Sequence, residues 1–569
     1  MPTANHELRA ALATCRTAFV MAGAFSLFIN LLMLVSPIYM MQIYNRVLPS
    51  RSVETLIVLS ALAFALLAVM GLLDIVRSRI LVRVSGRLDQ RLSERIFSAV
   101  FAATLRRQSR HTAQGMRDFE TLRQFISGPM LIAAFDAPWT PVLILVVFAM
   151  HPWLGLLSFA GAIVLFGLAM VSEIATRGAL EDASAHAIRF GTTLDAGLRN
   201  AEVVEAMGML ANLRRRWFRH RGRMLALQAR ASDLGGTLNA ASKFARLLLQ
   251  TALLGLGAYL AIYDEITPGA IIAASIIMGR ALAPVESAIG GWKQFVAARS
   301  AYRRLAALLA AEPAAGAKTS LPAPKGEIRF ENVVVVPPGG GAPTLRGVNF
   351  TIPPGQILCI LGPSGAGKST LARALVGAWR PYSGHVRIDG ASIHDWNRAE
   401  LGPYIGYLPQ DVELFDGTVA ENVARFGAAD SSMIVAAAQL AGVHETILRL
   451  PQGYETAIGP GGSTLSAGQR QRIGLARALY GNPAIVVLDE PNSNLDEAGE
   501  MALARAVGEL KARGATVLLI SHRWSSRGAL DQILVIENGA IQMFGPRNEV
   551  VQRLVRPAAM AAAGGQQRN

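Results

Sequence analysis

Residues 356–370 read QILCILGPSGAGKST, and this stretch decides the fold of the second half of the chain. The apolar residues 356–361 predict a buried β-strand. The next nine, GPSGAGKST, fit the pattern G-x-x-x-x-G-K-[ST], in which a glycine-rich loop joins a strand to a helix. The helix is predicted by LARALVGAW, which follows directly. A strand, loop and helix in this order predict an α/β domain with a phosphate-binding loop.

The residue types in this loop suit a nucleoside triphosphate. Glycines let backbone N–H groups turn toward phosphate oxygens, and the helix that follows adds its positive end. We expect Lys368 to bridge the β- and γ-phosphates of ATP and Ser369 to ligate Mg²⁺. The candidate nucleotide-binding residues of the loop are Gly362, Pro363, Ser364, Gly365, Ala366, Gly367, Lys368, Ser369 and Thr370.

Two acidic residues follow a second buried strand. AIVVLDE, residues 484–490, is a run of apolar strand residues that ends in two carboxylates. Asp489 is suited to hold the Mg²⁺ shell, and Glu490 is suited to orient or deprotonate an attacking water. A strand that ends in Asp-Glu is common in proteins. Its position about 120 residues after a phosphate loop favours a role at the nucleotide.

A third motif, LSAGQ at 465–469, predicts the start of a helix. Ser466 followed three residues later by Gln469 forms a capping box, and Gly481 can end the helix. A structural interpretation stops at this cap. A functional interpretation adds that the helix start is a second anion site, with the Ser466 hydroxyl and the Gly468 amide directed at a γ-phosphate.

GPSGAGKST, LSAGQ, VVLDE and SNLD together resemble the ATP-binding cassette of ABC transporters. The resemblance implies that Gln410, in YLPQD, senses the γ-phosphate and Mg²⁺. It also implies that His522, in LISHR, grips the γ-phosphate and that Asp496, in SNLD, couples two sites across a dimer. The implied catalytic residues are Glu490, His522 and Gln410. The implied metal ligands are Ser369, Gln410 and Asp489.

The LSAGQ segment matches the signature motif of this family, and the helix that it begins is called the signature helix. In this family each ATP lies between the phosphate loop of one subunit and the signature helix of the other. The resemblance therefore implies a dimer, in which Ser466, Gly468 and Gln469 of one copy complete the site of the other. A homodimer is the expectation because the catalytic positions are intact, and a heterodimer remains an alternative. The chain departs from the family at Ala467, usually glycine, and at residues 336–338, Val-Pro-Pro, where an aromatic residue usually stacks on adenine.

The first half of the chain has the composition of a membrane protein. Of the 569 residues, 52% are hydrophobic and 17% are charged, and only two are cysteines, which excludes a disulfide scaffold. A bilayer core of about 30 Å needs ~20 apolar residues in a helix. Six runs meet this need, at 18–41, 53–76, 131–150, 153–172, 246–263 and 270–290.

The distribution of charge predicts how these spans are oriented. Residues 1–305 hold 32 Lys and Arg against 18 Asp and Glu, whereas residues 306–569 hold 23 against 22. Eleven arginines lie between the second and third runs, and ten arginines and one lysine between the fourth and fifth. These loops are expected in the cytoplasm, as are both termini and the ATPase domain. The chain is then a multi-pass protein of the lipid bilayer, and no nucleic-acid partner is expected.

Both long loops are predicted to continue the membrane helices. From residue 75 to 100 an apolar residue recurs at every fourth position, beside a stripe of arginines. Asp74, Asp136 and Glu286 fall near the inner ends of their spans, and we expect each to be paired or solvated rather than to mark a transport path.

Changes of composition set the expected domain boundaries. Ala, Pro and small polar residues at 306–326 are typical of a linker. The expected order is an N-terminal tail at 1–17, a six-helix transmembrane domain of exporter type at 18–305, the linker at 306–326, an α/β ABC ATPase domain at 327–556 and a disordered tail at 557–569.

Three segments in the membrane half indicate a particular group of ABC transporters. SPIYMMQIYNRVLPSRS (36–52), FDAPWTP (135–141) and NAEVVEAMGM (200–209) resemble type I secretion ABC transporters of the alkaline-protease kind. The resemblance implies ATP-driven export of an unfolded protein that has an uncleaved C-terminal signal. It also implies an inner-membrane location, a periplasmic membrane fusion (adaptor) protein and an outer-membrane channel protein as partners.

Other functions stay open on the sequence alone. An exporter of lipid or small molecules has the same architecture. An importer is disfavoured because importers usually separate the membrane and cassette chains. A nucleotide-gated scaffold without transport is disfavoured because Glu490 and His522 are present. The sequence does not identify the cargo or the number of ATP molecules used per cycle.

Overall fold

The structure is a computed structural model that describes residues 6–107, 113–313, 318, 320–521 and 530–553. The chain divides into two compact units. The first unit consists of residues 1–104 and 109–314, and the second of residues 105–108 and 315–569. The expected tail at 557–569 falls outside the described residues.

The first unit is built from helices. Its helices are α1 (His6–Thr14), α2 (Arg16–Leu32), α3 (Val35–Gln42), α4 (Leu48–Ser50), α5 (Val53–Arg107), α6 (Ala113–Ile126), α7 (Pro129–Asp136), α8 (Thr140–Met150), α9 (Pro152–Arg199), α10 (Ala201–Ala206), α11 (Leu210–Ile262) and α12 (Pro268–Ala311). A π-helical turn, Ile43–Val47, joins α3 to α4. The expected tail at 1–17 thus contains a helix.

Six helical stretches are long and apolar enough to cross a membrane, which confirms the six predicted spans. They are Arg16–Ser50, Val53–Arg106, Pro129–Met150, Pro152–Ile188, Leu210–Ile262 and Pro268–Ala311. Their outward faces are apolar: in α5, for example, Val58 is 66% exposed and Phe64 is 73% exposed. Large apolar side chains are stable in this arrangement only when lipid covers them.

Helix α5 continues far beyond the apolar stretch that can lie in a membrane. Its 55 residues span about 80 Å, against a bilayer core of about 30 Å. In the polar part, Val84, Leu88, Leu92 and Ile96 are all buried. These residues belong to the stripe with a spacing of four, so the predicted continuation of the helix is confirmed.

The three acidic residues near the span ends all form ion pairs, as expected. Arg77 lies 2.7 Å from both Asp74 and Asp136, and Arg246 lies 3.2 Å from Glu286. The Arg77 side chain is only 4% exposed and also donates to the Ser26 hydroxyl at 2.8 Å. Through these contacts one arginine joins α2, α5 and α7.

The boundary between the two halves differs slightly from the expectation. Helix α12 continues to Ala311, so residues 306–311 of the predicted linker are helical. Alanine and leucine, which dominate these six residues, are strong helix formers, and Leu309 is buried against the helices of the first unit. The first strand of the second unit begins at Ile328.

The second unit is an α/β domain, which confirms the predicted fold class. Its strands are β1 (Ile328–Val335), β2 (Leu345–Ile352), β3 (Ile357–Leu361), β4 (Ser383–Ile388), β5 (Ala391–Ser392), β6 (Ile405–Leu408), β7 (Gly417–Thr418), β8 (Ala457–Ile458), β9 (Ile485–Asp489), β10 (Thr516–Ile520), β11 (Gln532–Glu537) and β12 (Ala540–Pro546). Its helices are α13 (Lys368–Leu375), α14 (Arg398–Leu401), α15 (Val419–Val423), α16 (Ser431–Leu440), α17 (His444–Leu448), α18 (Ala467–Leu479) and α19 (Glu497–Ala512).

The described strands form a large sheet, a smaller sheet and a two-stranded pair of β7 and β8. The large sheet has the order β12-β11-β3-β10-β9-β6, and all its pairings except β11 with β12 are parallel. The smaller sheet, β2-β1-β4-β5, is antiparallel. Strands β3, β9 and β10 are apolar because the large sheet is covered on both faces. Ligands bind at the carboxyl ends of strands in such sheets, where the loops after β3 and β9 lie.

Replacing Arg77 with methionine is expected to destabilise the membrane unit. The substitution leaves the half-buried Asp136 carboxylate without its cation, and breaking a buried pair in this way typically costs roughly 3–5 kcal/mol. The apparent unfolding temperature of the purified chain in detergent measures the loss. Adding D136N to R77M should restore part of it, because the unpaired charge is then removed.

The matched control is R177M. Arg177 pairs with Glu181 at 3.4 Å, and both side chains are more than one-third exposed. Such a pair contributes about 0–1 kcal/mol. Equal unfolding temperatures for R77M and R177M would contradict a stabilising role for the Arg77 contacts.

Candidate functional site

The phosphate-loop motif lies where the sequence predicts it, between β3 and α13. Gly367 is the residue before the helix and has φ 105°, a left-handed conformation that favours glycine. A Cβ atom at this position would lie 2.7 Å from the Thr344 carbonyl oxygen. Glycine is therefore required here for the tight turn of the loop. This turn allows the N–H groups of the loop to face a phosphate.

Lys368 is held at the centre of this loop. Its side chain is buried, and Nζ donates hydrogen bonds of 2.9 Å to the carbonyl oxygens of Gly362 and Pro363. Burial lowers the pKa of the Lys368 ammonium, and the negative charges of Glu490 and Asp489 oppose that shift. The ammonium is thus fixed at the loop by carbonyl oxygens, and a lysine ammonium can bind phosphate as a point charge.

Asp489 and Ser369 meet although 120 residues separate them in the chain. The Ser369 hydroxyl donates to Asp489 Oδ1 at 3.2 Å. Asp489 is 1% exposed, and its second oxygen, Oδ2, is buried with no hydrogen-bond partner among the described residues. Burial raises the pKa of the Asp489 carboxyl, and the hydrogen bond from Ser369 opposes that shift.

These donors fit Mg²⁺. The ion prefers oxygen ligands and usually takes only one or two from carboxylates, with the rest from water and substrate phosphates. The orphan Oδ2 of Asp489 and the Ser369 hydroxyl are oxygen donors of this kind. No cluster of three or more His, Cys, Asp or Glu able to hold a metal occurs in the described part of the chain. A metal here would therefore need the oxygens of a bound nucleotide.

Glu490 and Gln410 also come together. Gln410 Nε2 donates to Glu490 Oε2 at 3.0 Å, across 80 residues of sequence. Glu490 has φ 50°, an uncommon conformation for a residue other than glycine. Strain of this kind persists where the surrounding structure holds it, often at functional sites. The chain turns at this residue so that Asp489 ends the buried strand while Glu490 is half-buried beside Gln410.

The signature motif forms the predicted capping box at the start of α18. The Ser466 hydroxyl accepts from the Gln469 N–H at 3.2 Å, and Gln469 Oε1 accepts from the Ser466 N–H at 2.9 Å. Ser466 and Ala467 are both exposed, so the methyl group of Ala467 has room. Within the described part of the chain, no hydrogen bond or ion pair joins Ser466 to residues 362–370.

Sequence reasoning missed Gln471, a buried residue of α18. Its side-chain Nε2 donates to the Pro491 carbonyl oxygen at 2.6 Å, and its Oε1 accepts from the Asn494 N–H at 3.1 Å. Gln471 thereby fixes the segment just after Glu490 to the signature helix. The sequence places an amide side chain on the apolar side of the helix, two positions after Gln469, and a buried amide needs hydrogen-bond partners. Those partners lie about 20 residues later in the chain, so the sequence alone did not identify them.

The remaining two candidates give different results. Asp496 caps its own helix, α19, by accepting from the Gly499 N–H at 2.9 Å, and its side chain is largely exposed. Its predicted contact across a dimer stays a prediction. His522 lies outside the residues that the structure describes, so its role also stays a prediction.

Comparison with protein families matches both units. Residues 345–493 match a family described as ABC transporter. Residues 19–284 match a family described as ABC transporter transmembrane region.

Known proteins resemble the chain over most of its length. It is 45% identical over 555 residues to the type I secretion system ATP-binding protein PrsD of Rhizobium meliloti (strain 1021), covering 97% of this chain and 95% of the relative. It is 30% identical over 527 residues to the cyclolysin secretion/processing ATP-binding protein CyaB of Bordetella pertussis, covering 91% and 74%. A solved structure, that of a bacterial Atm1-family ABC exporter with ATP bound, has a TM-score of 0.80 at 24% identity and covers 98% of this chain and 100% of the other. The last likeness concerns the fold.

Replacing Asp489 with asparagine is expected to stabilise the nucleotide-free protein. Folding raises the pKa of the Asp489 carboxyl, so ionising this group destabilises the folded state. The loss of stability is complete at pH values above the folded-state pKa, and it is absent at pH values below the unfolded-state pKa. Asparagine is never ionised, so D489N should raise the unfolding temperature of the second unit at pH 7. A rise of about 2–4 °C corresponds to roughly 1 kcal/mol in a domain of this size.

Scanning calorimetry of the full chain without nucleotide measures this shift, and the gain should shrink as the pH falls below the folded pKa and vanish below the unfolded pKa of about 3.9. D496N is the matched control, because an exposed N-cap tolerates asparagine as well as aspartate. A lower unfolding temperature for D489N than for the parent would contradict the assigned burial cost.

Proposed function

The chain belongs to the ABC transporters of type I secretion systems, and from this premise we propose that it uses ATP hydrolysis to export an unfolded protein across the bacterial inner membrane. The chain is an ATPase and a membrane protein. One observation supports the proposal above all: a single chain joins six helices able to span a membrane to a phosphate loop whose neighbouring carboxylate, Glu490, already contacts Gln410. Such a chain can couple nucleotide chemistry to movement of membrane helices.

We assign the steps at the nucleotide as follows. The loop 362–370 binds the phosphates of ATP, with Lys368 at the β- and γ-phosphates. Ser369, Asp489 and Gln410 would hold Mg²⁺, and the ion would supply positive charge at the phosphate oxygens. Glu490 orients the attacking water and accepts its proton, and Gln410 keeps the Glu490 carboxylate in place through their 3.0 Å hydrogen bond. His522 contacts the γ-phosphate.

We propose that two copies of the chain form the active unit. The Ser466 hydroxyl, the Gly468 amide and Gln469 of one copy complete the nucleotide site of the other, and Asp496 joins the two sites. The exposure of Ser466 at the start of α18 supports this assignment, because a second copy can reach its hydroxyl. The positive end of α18 then adds to the stabilisation of the γ-phosphate.

The names of the relatives support a proposal for the cargo and the partners. The relatives are named for a type I secretion system and for cyclolysin secretion/processing. We propose that the cargo is a secreted protein with a C-terminal signal, and that a periplasmic adaptor protein and an outer-membrane channel protein complete the path. The ATPase unit and both termini then lie in the cytoplasm, where ATP is available and where the arginine-rich loops belong.

Replacing Glu490 with glutamine is expected to abolish ATP hydrolysis while nucleotide binding is retained. Glutamine keeps the shape of the side chain but cannot accept the proton of water. The loss should be at least about 10²-fold in kcat, because general-base catalysis contributes that much or more. Hydrolysis by the purified chain in phospholipid vesicles and binding of a fluorescent ATP analogue give the two measurements.

E445Q is the control, since Glu445 is an exposed residue on α17. It should hydrolyse ATP at the parent rate. Unchanged hydrolysis by E490Q would remove Glu490 from its assigned role.

Export itself is tested in cells that lack this gene. A reporter fused to the C-terminal segment of a secreted protein encoded nearby should reach the medium when the parent gene is restored, and should stay inside with E490Q. Accumulation of the reporter in the medium without the gene would contradict the proposed cargo. The alternative, export of lipid or small molecules, predicts normal secretion of the reporter in the deletion strain.

A further inference from the structure

Arg425 occupies an unusual place in the ATPase unit. It follows α15 and has φ 57°, and the next residue, Phe426, has φ 58°. Two adjacent residues other than glycine rarely share the left-handed conformation, because their Cβ atoms crowd the backbone. The surrounding structure must hold this turn, and the contacts of the Arg425 side chain show how.

The Arg425 guanidinium uses all five of its N–H groups on backbone carbonyl oxygens. Nε donates to Arg477 at 3.0 Å, and Nη2 donates to Ala478 and Tyr480 at 3.1 Å each. These three carbonyls lie at the end of α18, where helix geometry leaves carbonyl groups without partners and favours a cation.

The other two donors reach a different element. Arg425 Nη1 donates to the carbonyl oxygens of Gly402 at 2.9 Å and Ile405 at 3.1 Å. The Gly402 carbonyl lies in the 3-10 turn just before β6, and the Ile405 carbonyl belongs to the first residue of β6, the strand that ends two residues before Gln410. The backbones are in close contact here, because a Cβ at Gly406 would collide with the Ala478 carbonyl oxygen. One side chain therefore joins the end of the signature helix to the strand that precedes Gln410.

The chain after Gln410 is tied to the same place. Arg477 donates to the Glu413 carbonyl oxygen at 3.2 Å, and its guanidinium lies over the Phe415 ring, 5.6 Å from the centroid. Phe415 in turn packs edge-on against Phe426, the neighbour of Arg425, with centroids 5.7 Å apart. The loop that contains Gln410 is thus held on both sides by the end of α18.

We propose that Arg425 is a positioning residue that couples the two nucleotide sites of the dimer through each chain. This inference rests on the proposed function, in which Gln410 reads the ATP bound to its own chain and Ser466 completes the site of the partner. Helix α18 is rigid, with Ser466 at one end and the Arg425 contacts at the other. A shift of the Gln410 loop when ATP binds is then transmitted to the signature motif that serves the second site.

The test measures cooperativity as well as rate. In the full chain in phospholipid vesicles, R425Q should lower kcat about tenfold, within the range of coupling between residues of one network. The Hill coefficient for ATP should fall toward 1, and the affinity for a fluorescent ATP analogue should change less than about twofold, since the phosphate loop is untouched. R425K keeps the charge but has three donors instead of five, so its kcat should be intermediate.

R513Q is the matched control. Arg513 donates to Asn482 Oδ1 at 2.7 Å, just past the end of α18, and no described hydrogen bond joins it to β6. This variant should retain the kcat and Hill coefficient of the parent.

A double-mutant cycle separates positioning from a general loss of structure. If Arg425 acts through Gln410, adding R425Q to Q410A should reduce kcat much less than R425Q does alone. Independent, multiplicative losses would overturn the inference. So would parental kcat and Hill coefficient in R425Q or, if R425Q fails to fold, in R425K. A parent chain that does not hydrolyse ATP would refute the proposed function itself. If the parent hydrolyses ATP, E490Q does not, and R425Q has the kcat and Hill coefficient of the parent, only the role of Arg425 is refuted.

Discussion

A buried carboxylate at the carboxyl end of the central sheet is the constraint on which the ATPase unit depends. Asp489 ends a strand that has neighbours on both sides, so water cannot reach its charge. Such a charge is tolerable only with cations and donors around it. Ser369 donates to it and Lys368 lies close by, and both belong to the phosphate loop at the end of the next strand but one. Burial raises the pKa of the Asp489 carboxyl, and its Oδ2 has no hydrogen-bond partner among the described residues, which is the kind of oxygen that a divalent cation would prefer as a ligand.

The membrane unit also contains a buried charge that needs partners of opposite charge. There the buried charge is positive, and Arg77 satisfies it with carboxylates and a hydroxyl from three helices. These contacts are internal, so they hold three helices together. Asp136 at a span end is paired within the unit, whereas Asp489 at a strand end keeps a buried oxygen with no hydrogen-bond partner among the described residues.

Helix α18 connects the parts of the ATPase unit. Its first turn presents Ser466 and Gln469 outward, Gln471 in its middle holds the segment after Glu490, and its last turn binds Arg425. One helix therefore connects the exposed Ser466, the segment after Glu490 and the contacts of Arg425.

Much of the molecule was predictable from sequence because its signals are local. The six apolar spans, the strand-loop-helix of residues 356–375 and the capping box of Ser466 each depend on residues a few positions apart, whose spacing sets their geometry. The helical end of α12, residues 306–311, was missed because Ala-rich sequence suits a helix as well as a linker, and packing against neighbouring helices decided between them.

Contacts between distant residues were decided only by the tertiary structure. Residue types and spacing made Asp489 and Glu490 candidates, and the resemblance to the ATP-binding cassette added Gln410. The sequence did not reveal that Gln410 lies against Glu490, that Arg77 bridges to Asp136, or that Arg425 binds five carbonyl groups. Backbone carbonyls are the same in every residue, so no sequence pattern marks which of them a folded chain will bring to one arginine.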